Sequence, residues 1–410
     1  MKRRVVITGM GAVSPVGDDT AQLWRSVCEG VSGIRPITAF DTTYNPVKVA
    51  AEVRDWHPER FIDPQSLRHN ARFMQFARVA AQQAYQMSGL AEVEIDRDRC
   101  GVYISSSVGG IEAVEKVGRS FRVDAPSRVP PYLIPNVMLN LASGAVAIDL
   151  QARGRNMATA SACASGANAI GEAFRVIQWG EQDIMVAGAA DAAITPLSLA
   201  GFAAMRAMYI GDDPDRASIP FDAERSGTVM GEGAGVLVLE ELEHARARHA
   251  SIIAEIVGYG TNCDAYSIAT PESEGRSIGR AMQLALDDAG VTATAIDYIN
   301  AHGTSTVLND KTEALAIHRV FGESTEVPVS STKSMTGHML GAGGAVEAII
   351  TANALQDGMI PPTIHYRVPD PDCRLNIVTK CRQSPLQYAL TNSFGFGGHN
   401  ACLVLKKWPS

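Results

Sequence analysis

The sequence lacks any long uninterrupted run of apolar residues. A membrane-spanning helix needs about 18 of them, and no segment of the 410-residue chain approaches that length. The basic start is interrupted by Gly9, Gly11 and Pro15 and offers no small-residue cleavage site, which argues against a signal peptide. We therefore expect a soluble, cytoplasmic protein with no membrane partner.

The seven cysteines include no Cys-x-x-Cys pair, and their number is odd. This pattern predicts no disulfide framework and is typical of a reducing compartment. Basic residues are also in deficit, because 36 Lys and Arg stand against 44 Asp and Glu, a net charge of −8. The balance argues against nucleic acid as a partner, and an acidic protein partner would need a local basic patch.

What the chain does contain is a large apolar fraction, 46%, which is enough for a substantial core. Strand-like segments recur, with helical patterns between several of them: RRVVITGM, CGVYISSS, DIMVAGA, AGVLVLEE, SIIAEIVGYG, DYINAHG, VPVSST and ACLVLKK. This alternation predicts an α/β fold. No Pro-rich linker divides the chain, and its weakest seam lies near residue 250. We predict two units, 1–250 and 251–410.

Two segments, 157–180 and 327–358, share one order of features. Each runs from a strand through a polar or glycine-rich loop into a helix of small residues, and then to a glycine. Ligand sites in α/β sheets favour such strand ends. We interpret the likeness as a duplicated unit with a site between the halves; a chance likeness between two α/β segments is the alternative.

Cys163 lies in TASACASGANAIGEAFRVI, where small residues lead into an amphipathic helix pattern. A helix start carries partial positive charge, which favours thiolate over thiol. Ala162, Ala164 and Gly166 leave room for a substrate to approach. The alternative is an ordinary buried cysteine, but the setting favours a nucleophile.

Two histidines follow in glycine-rich segments, His302 in NAHGTST and His338 in TKSMTGHMLGAGG. One thiol and two imidazoles suggest acyl-transfer chemistry. No HExxH spacing indicates a zinc site. Lys333 precedes His338 by five residues; it is either a solvated lysine or a group that orients His338 or a carboxylate such as Glu347.

The segment TNSFGFGGHNA combines glycines with two phenylalanines. It is either a simple hairpin turn or a turn that offers a backbone amide to an oxyanion, with a ring as lid. We favour the second, because Cys163 needs an oxyanion donor besides its own N–H. The segment GMGAVSPVG lacks the third glycine of a dinucleotide fingerprint, so we reject nicotinamide binding.

Taken together, Cys163, His302, Lys333, His338 and NSFGFGGHN resemble the β-ketoacyl-[acyl-carrier-protein] synthases, the elongating type II condensing enzymes of the thiolase superfamily. The segments FDAERSG and MGEGAG extend the resemblance along nearly the whole chain. It implies a thiolase-like five-layered αβαβα fold built from two related halves, and a homodimer. It also implies no resident cofactor, because phosphopantetheine arrives on the acyl carrier protein.

By this resemblance Cys163 accepts the acyl group, while His302 and His338 stabilise the enolate formed from malonyl-carrier, in fatty acid elongation. The N–H groups of Cys163 and Phe396 would hold the oxyanion, and Phe396 would gate the pocket. The other implied roles are an acyl pocket lined by Val108, Ile134 (from the partner subunit), Phe202 and Leu340; pantetheine binding by Thr304 and Thr306; carrier docking by Arg68 and Arg206; and a structural monovalent cation at Asn300, Glu347 and Asn392.

The spacing of Arg68 and Arg72 adds a further docking candidate. The two arginines are four residues apart in LRHNARFMQFARVAAQQAY, a predicted helix, so they would share one face. We expect this face to meet the acidic carrier; an ordinary solvated helix face is the alternative.

Five residues depart from the family pattern: Asn168 for a frequent His; Ile219, Ser226 and Thr228 for Arg, Asp and Phe; and Asn309 for Gly. Asn309 is typical of ketosynthases of type II polyketide systems, so the alternative is a polyketide or polyene ketosynthase paired with a chain-length factor. A silent chain-length subunit is disfavoured because Cys163 is present. A degradative thiolase would need a second catalytic cysteine, and Cys402 lies in a strand-like segment instead.

Overall fold

The computed structural model describes residues 2–409. In this range the β-strands are Val5–Val13 (β1), Ile34–Pro36 (β2), Val49–Ala51 (β3), Cys100–Ser105 (β4), Asn156–Met157 (β5), Ile184–Asp191 (β6), Gly233–Glu241 (β7), Ala254–Cys263 (β8), Tyr298–Asn300 (β9), Pro328–Ser330 (β10), Met359–Ile360 (β11), Asn376–Ile377 (β12), Arg382–Gln383 (β13), Tyr388–Gly395 (β14) and His399–Lys407 (β15).

The α-helices in the same range are Thr20–Glu29 (α1), Pro64–Leu67 (α2), Arg72–Met87 (α3), Ile111–Gly118 (α4), Leu133–Val137 (α5), Leu141–Leu150 (α6), Ser165–Gln178 (α7), Pro196–Ala204 (α8), Pro214–Ala217 (α9), Leu242–Ala247 (α10), Arg276–Ala289 (α11), Val307–Phe321 (α12), Lys333–Thr336 (α13) and Gly341–Asp357 (α14). None of these described helices combines the length and the apolar character needed to cross a bilayer.

The large sheet repeats one strand arrangement twice. Its order is β12-β10-β9-β14-β15-β8-β1-β7-β6-β4-β5. In the first half β7 is antiparallel to both β1 and β6, and β4 is parallel to both β6 and β5. In the second half β15 is antiparallel to both β8 and β14, and β9 is parallel to both β14 and β10. The same order and directions occur in both halves, which confirms the predicted duplication.

The helices form three layers around the two sheet halves. Helices α3 and α6 pack on the outer face of the first half, and α11 and α12 pack on the outer face of the second. Helices α7 and α14 lie between the halves in the central apolar cluster, which contains residues of both. This is the five-layered αβαβα arrangement, so the predicted fold class is confirmed.

The two central helices approach each other closely because glycines face their contact. A Cβ atom on Gly166 of α7 would lie 2.5 Å from the carbonyl oxygen of Gly341. A Cβ atom on Gly344 of α14 would lie 3.0 Å from the backbone nitrogen of Ala167. Both helices are buried along most of their length. Their N-terminal ends therefore meet, and those ends follow Cys163 and His338.

One predicted helix is wrong in the structure. Asp63 accepts hydrogen bonds from the N–H groups of Gln65 and Ser66 and so starts the short helix α2, which ends at Leu67. Ala71 is extended, with ψ 155, and α3 begins only at Arg72. Arg68 and Arg72 thus belong to different elements, and the shared helix face does not exist.

The NSFGFGGHN segment is mostly strand. Strand β14 continues to Gly395 and pairs with β15 from His399 onward, so the turn contains only residues 396–398. The first part is strand because β14 fills the space between β9 and β15. The hairpin and the proposed amide donor are therefore parts of one feature.

The contact between the central helices makes Gly166 sensitive to substitution. We expect Gly166→Ala to lower the free energy of unfolding by about 1–3 kcal/mol, because the added methyl group forces backbone apart. The measurement is chemical denaturation. Gly201→Ala on α8 is the matched control, since no atom lies within 4 Å of the position that its added methyl group would take. An equal loss of unfolding free energy in the two variants, or no loss in Gly166→Ala, would contradict the close packing of the two helices.

Candidate active site

Cys163 lies in a tight turn between β5 and α7. The turn 162–164 is a 3-10 segment, and Ala162 has a φ of +50. A residue other than glycine in this region costs about 1–3 kcal/mol and persists only when its surroundings hold it. Here Ser107 Oγ and Ser165 Oγ both donate to the carbonyl of Ala162, at 2.8 and 2.7 Å. The turn directs Cys163 into a cavity of about 430 Å³.

Both predicted histidines line the same cavity as Cys163. Nε2 of His338 lies 3.1 Å from Sγ of Cys163. The ring of His302 stands nearly perpendicular to that of His338, with 5.3 Å between centroids. His302 follows β9 and His338 precedes α14, so the duplicated fold brings together groups that are far apart in sequence.

The buried cavity keeps these three groups neutral at rest. Burial raises the pKa of Cys163 to about 12, against the opposing effects of the Lys333 charge and the N–H groups of Phe396 and Cys163. Burial, together with the Lys333 charge, holds the pKa of both His302 and His338 well below 6.5. Desolvation therefore opposes the thiolate that the helix start favours.

Lys333 is fully buried, and its ammonium group hydrogen-bonds to Oε1 of Glu347. Burial raises the pKa of Glu347 to about 7, and the Lys333 charge opposes that rise. Of the two predicted targets of Lys333, the structure therefore places the carboxylate in contact. Removing one member of a buried ion pair costs about 3–5 kcal/mol of folding stability, so Lys333 and Glu347 hold each other in place. The Lys333 ammonium thereby lies close enough to lower the pKa of both imidazoles.

The residues proposed to hold a monovalent cation present unused oxygens. Among the described residues, Oδ1 of Asn300, Oε2 of Glu347 and Oδ1 of Asn392 are buried without hydrogen-bond partners. Buried acceptors are normally paired, and oxygen donors suit hard cations. The donor set fits such an ion. The described chain holds no group of three or more His, Cys, Asp or Glu side chains arranged for a metal.

The 396–398 turn closes one side of the cavity. The ring of Phe396 stacks against that of Phe202, with 6.3 Å between centroids, and both line the cavity. The N–H of Gly397 donates to the carbonyl of Ile268 at 2.8 Å. The N–H of Asp264 donates to the carbonyl of Gly398 at 2.9 Å. A second loop thus holds the turn that carries Phe396.

The predicted substrate-binding residues fall into two groups. Thr304, Thr306 and Leu340 line the cavity, and the two threonine hydroxyls are 2.9 Å apart. Val108 packs against the apolar cluster that contains Cys163. Ile134 is 64% exposed and does not line the cavity of its own chain, as a residue reaching a partner subunit would be.

The three arginines predicted to dock the carrier differ in whether the guanidinium group is exposed. Arg68 is exposed at the end of α2, and exposed Arg206 lines the cavity mouth. Arg72, by contrast, donates to Glu232 at 2.7 Å and to the carbonyl of Val53 at 2.8 Å. Its guanidinium is committed inside the chain, which argues against a docking role.

Two carboxylates that we did not predict hold the site together. Glu313 accepts hydrogen bonds from the N–H groups of His302 and Gly303, at 2.8 and 2.7 Å, and burial raises its pKa to about 7. Asp191 accepts from the N–H of Gly341 at 2.8 Å and from that of Ser107 at 3.0 Å. The only sequence signal for Asp191 was an acidic residue in an otherwise apolar segment.

Several family departures lie around the cavity. Ser226 and Thr228 line it, and the buried Thr228 hydroxyl has no hydrogen-bond partner in the described chain. Ile219 is buried, and its N–H donates to Ser305 Oγ at 2.9 Å. The side chain of Asn309, which also lines the cavity, donates to Asp310 at 3.1 Å.

Comparison with protein families gives two matches. The family "Beta-ketoacyl synthase, N-terminal domain" matches residues 2–245, and "Beta-ketoacyl synthase, C-terminal domain" matches residues 253–367. A curated relative, 3-oxoacyl-[acyl-carrier-protein] synthase 2 of Staphylococcus aureus (strain COL), is 48% identical over 410 residues, 100% of this chain and 99% of its own. The Synechocystis protein of the same name is 46% identical and covers 99% of both chains.

Solved structures give the same picture over 100% of both chains. A beta-ketoacyl synthase from Burkholderia phymatum STM815 has a TM-score of 0.93 and 37% identity. The ishigamide ketosynthase/chain length factor has a TM-score of 0.92 and 36% identity. The structure of a type II PKS acyl-carrier protein in complex with its ketosynthase has a TM-score of 0.92 and 32% identity.

The neutral resting thiol predicts a distinctive alkylation profile. We expect iodoacetamide to modify Cys163 at a rate that keeps rising with pH through 9.0, the ordinary pKa of a cysteine, because the thiolate fraction grows about tenfold per pH unit below the pKa. Peptide mass spectrometry measures each site separately, with exposed Cys263 as internal reference. A plateau for Cys163 below pH 9.0 would show a resting thiolate instead.

Proposed function

Because the chain belongs to the beta-ketoacyl synthase family, we propose that it condenses an enzyme-bound acyl group with malonyl-acyl-carrier-protein to give β-ketoacyl-carrier in fatty acid elongation. The chain is an acyltransferase, as its full-length likeness to 3-oxoacyl-[acyl-carrier-protein] synthase 2 supports. The observation that carries the proposal is the 3.1 Å contact between Sγ of Cys163 and Nε2 of His338, with His302 in the same cavity.

In the first step, the sulfur of Cys163 attacks the thioester carbonyl of acyl-carrier. Nε2 of His338 is within reach of the thiol proton, and a neutral imidazole can accept it. The N–H groups of Cys163 and Phe396 face the sulfur and are placed to hold the tetrahedral oxyanion. The carrier thiolate leaves with a proton, and the acyl group remains on Cys163.

In the second step, malonyl-carrier loses its carboxylate as CO₂, and negative charge develops on the thioester oxygen. Burial keeps both rings neutral. His302 can present an N–H to that oxygen, and His338 can do so in the tautomer that carries its proton on Nε2. One such donor is worth about 2.7–4 kcal/mol of barrier. The carbanion then attacks the acyl carbonyl, the C–S bond to Cys163 breaks, and β-ketoacyl-carrier leaves. The Cys163 sulfur takes up one proton from water and returns to the thiol.

The cavity supports specific roles for the surrounding side chains. Thr304, Thr306, Phe202 and Leu340 line the cavity. The two threonines would bind the pantetheine arm, and Phe202 and Leu340 would contact the acyl chain. Phe396, half-buried over the cavity, is placed to open after acylation. The arm belongs to the carrier, so the proposed reaction needs no resident organic cofactor. A monovalent cation held by Asn300, Glu347 and Asn392 would stabilise the site structurally.

We propose a dimer as the working unit. Helices α4 and α5 bury no residue within the single chain, and Ile134 on α5 is exposed. A second subunit that covers these helices would receive Ile134 at its acyl pocket. The units 1–250 and 251–410 are the two duplicated parts of each subunit in this proposal, and we place the enzyme in the cytoplasm with its carrier.

A second candidate function has a specific observation in its favour. The ishigamide ketosynthase/chain length factor and the type II PKS complex have the same fold at 36% and 32% identity. The residues Asn309 and Thr228 also depart from the fatty-acid pattern. The alternative is therefore a type II polyketide or polyene ketosynthase that acts with a chain-length-factor partner, although the 48% relative favours elongation.

The decisive experiment is elongation by purified protein with malonyl-carrier and a ladder of saturated and unsaturated acyl-carriers. We expect β-ketoacyl products from saturated primers without a second protein, and an acyl group on the Cys163 peptide before malonyl-carrier is added. Activity that depends on a co-expressed homologue would support the polyketide alternative. An acyl label on another residue, or none, would overturn the proposed function.

The matched variant is Cys163→Gln. It removes the acyl acceptor but leaves both imidazoles, so elongation should be lost while malonyl-carrier is still decarboxylated. Loss of both activities in a folded variant would mean that the histidines do not act on malonyl-carrier independently of the sulfur. A dye-binding unfolding curve checks that the variant is folded.

Charge reversal tests carrier docking at the two exposed arginines. We expect Arg68→Glu/Arg206→Glu to raise the KM for the acidic acyl-carrier by about tenfold at low salt, with a smaller effect at high salt, because exposed charges steer association and are screened. Steady-state kinetics measures this. Arg246→Glu on α10, away from the cavity, is the control. An unchanged KM at low salt would remove these arginines from the docking surface.

A further inference from the structure

We propose that Asn168 is a positioning residue for Cys163, because its side-chain amide ties the turn that carries the cysteine to Tyr259 in the other half of the fold. The hydroxyl of Tyr259 donates to Oδ1 of Asn168 at 2.6 Å. Nδ2 of Asn168 donates to Oγ of Ser161 at 2.6 Å. The inference rests on the proposed role of Cys163 as the nucleophile.

All three members of this relay are buried. Tyr259, Ser161 and Asn168 are 5%, 7% and 8% exposed. Hydrogen bonds between groups removed from water are strong, and an unpaired member is costly. Burial and the nearby Glu172 carboxylate raise the pKa of Tyr259, so its hydroxyl keeps the proton that it donates.

Tyr259 is a firm anchor for the relay. Its ring lies against Gly171 of α7, where a Cβ atom would come within 2.4 Å of the ring carbons. Its backbone is held as well, because Arg175 donates to its carbonyl at 3.0 Å and its N–H donates to Asp288 at 3.1 Å. The Tyr259 hydroxyl therefore has little freedom to follow Asn168 if the amide moves.

At the other end, Ser161 sets the direction of the strained turn. Its N–H donates to Ser165 Oγ at 3.0 Å, and its carbonyl accepts from the N–H of Ala164 at 3.1 Å. Together with the Asn168 contact, these bonds fix every polar group of Ser161 on the N-terminal side of Ala162, the residue with positive φ. A backbone in this region needs such constraint.

The position of Ser161 also governs the oxyanion donors. A Cβ atom on Gly395 would lie 2.4 Å from the carbonyl oxygen of Ser161 and 3.0 Å from the backbone nitrogen of Cys163. The strand that leads to Phe396 thus lies directly against this turn. Rotation of Ser161 would move both the N–H of Cys163 and strand β14. The relay therefore fixes the positions of the Cys163 sulfur and of the two oxyanion donors, the N–H groups of Cys163 and Phe396, relative to one another.

Histidine is the conservative replacement for Asn168 with which to test the relay. Either side chain offers one donor and one acceptor. Asn168→His should therefore retain the relay, whereas Asn168→Leu, with the same number of side-chain heavy atoms and the same branching, removes both hydrogen bonds. Tyr259→Phe removes the anchoring bond together with the 3.2 Å contact between the Tyr259 hydroxyl and Oε1 of Glu172. Asn376→Ala is a control that loses a side-chain bond to a backbone carbonyl far from the cavity.

The experiment measures two properties of the full-length enzyme and these variants. The first is kcat and KM for elongation. The second is the pH profile of Cys163 alkylation, which needs no substrate. For Asn168→Leu we expect kcat to fall about tenfold with an unchanged KM for malonyl-carrier, because a misplaced reacting group lowers the rate of the chemical step. We also expect Cys163 to be alkylated more slowly than in wild-type enzyme at every pH tested. Tyr259→Phe should change kcat and Cys163 alkylation in the same direction as Asn168→Leu. Asn168→His should show wild-type values of both.

The outcomes separate this inference from the proposed function. If wild-type enzyme does not condense, the proposed function fails, but the alkylation profiles still compare the variants. If wild-type enzyme condenses and Asn168→Leu matches it in kcat and alkylation, the relay does not position Cys163. Should Asn168→Leu fail to fold, Tyr259→Phe decides: a wild-type profile in that variant also overturns the inference.

Discussion

The structure depends on placing a thiol and two imidazoles together in a site from which water is largely excluded. Burial strongly disfavours charge on Cys163, His302 and His338. The three groups therefore meet as neutral species, and charge appears only when a substrate supplies it. Preorganised donors act most strongly in such a dry site, so exclusion of water both suppresses the resting thiolate and favours the oxyanion and enolate that the reaction forms.

That site is possible only because the fold is duplicated. In each half a strand leads through a loop into a buried helix, which is α7 in the first half and α14 in the second. Glycines at the contact between these two helices allow them to approach closely. Cys163 comes from one half and His338 from the other. The strain in Ala162 is maintained by hydroxyls around the turn and by the Asn168 relay, which again joins the two halves. The contacts that pack the two halves together are therefore also the contacts that position the groups of the site.

Buried ionisable groups lie one layer further out. The Lys333–Glu347 pair is buried beside the imidazoles, while Asp191 and Glu313 hold the backbone of the loops that carry the reacting groups. These carboxylates accept main-chain N–H groups rather than touch the substrate. At the surface, by contrast, Arg206 lines the mouth of the cavity with its charge uncommitted to any described ion pair, where an acidic partner could meet it.

Much of this could be predicted from local sequence. Small residues before an amphipathic helix marked Cys163, glycine-rich segments after strands marked His302 and His338, and the repeated order of strand, loop and helix indicated two related halves. Such signals are readable because they depend on neighbours a few residues apart. The single helix predicted through Arg68 and Arg72 failed because capping by Asp63 and the extended Ala71 are decided by local hydrogen bonds that helix periodicity does not show.

The sequence by itself determined the reacting groups, the α/β class and the repeat. Only the tertiary structure decided their state and their neighbours: that Cys163 rests as a thiol, that Arg72 binds Glu232 inside the chain, and that Glu313, Asp191 and Asn168 support the site. The physical reason is that desolvation and long-range hydrogen bonds depend on what surrounds a group in space. Several of these contacts join residues more than a hundred positions apart, such as Arg72 with Glu232 and Cys163 with His338.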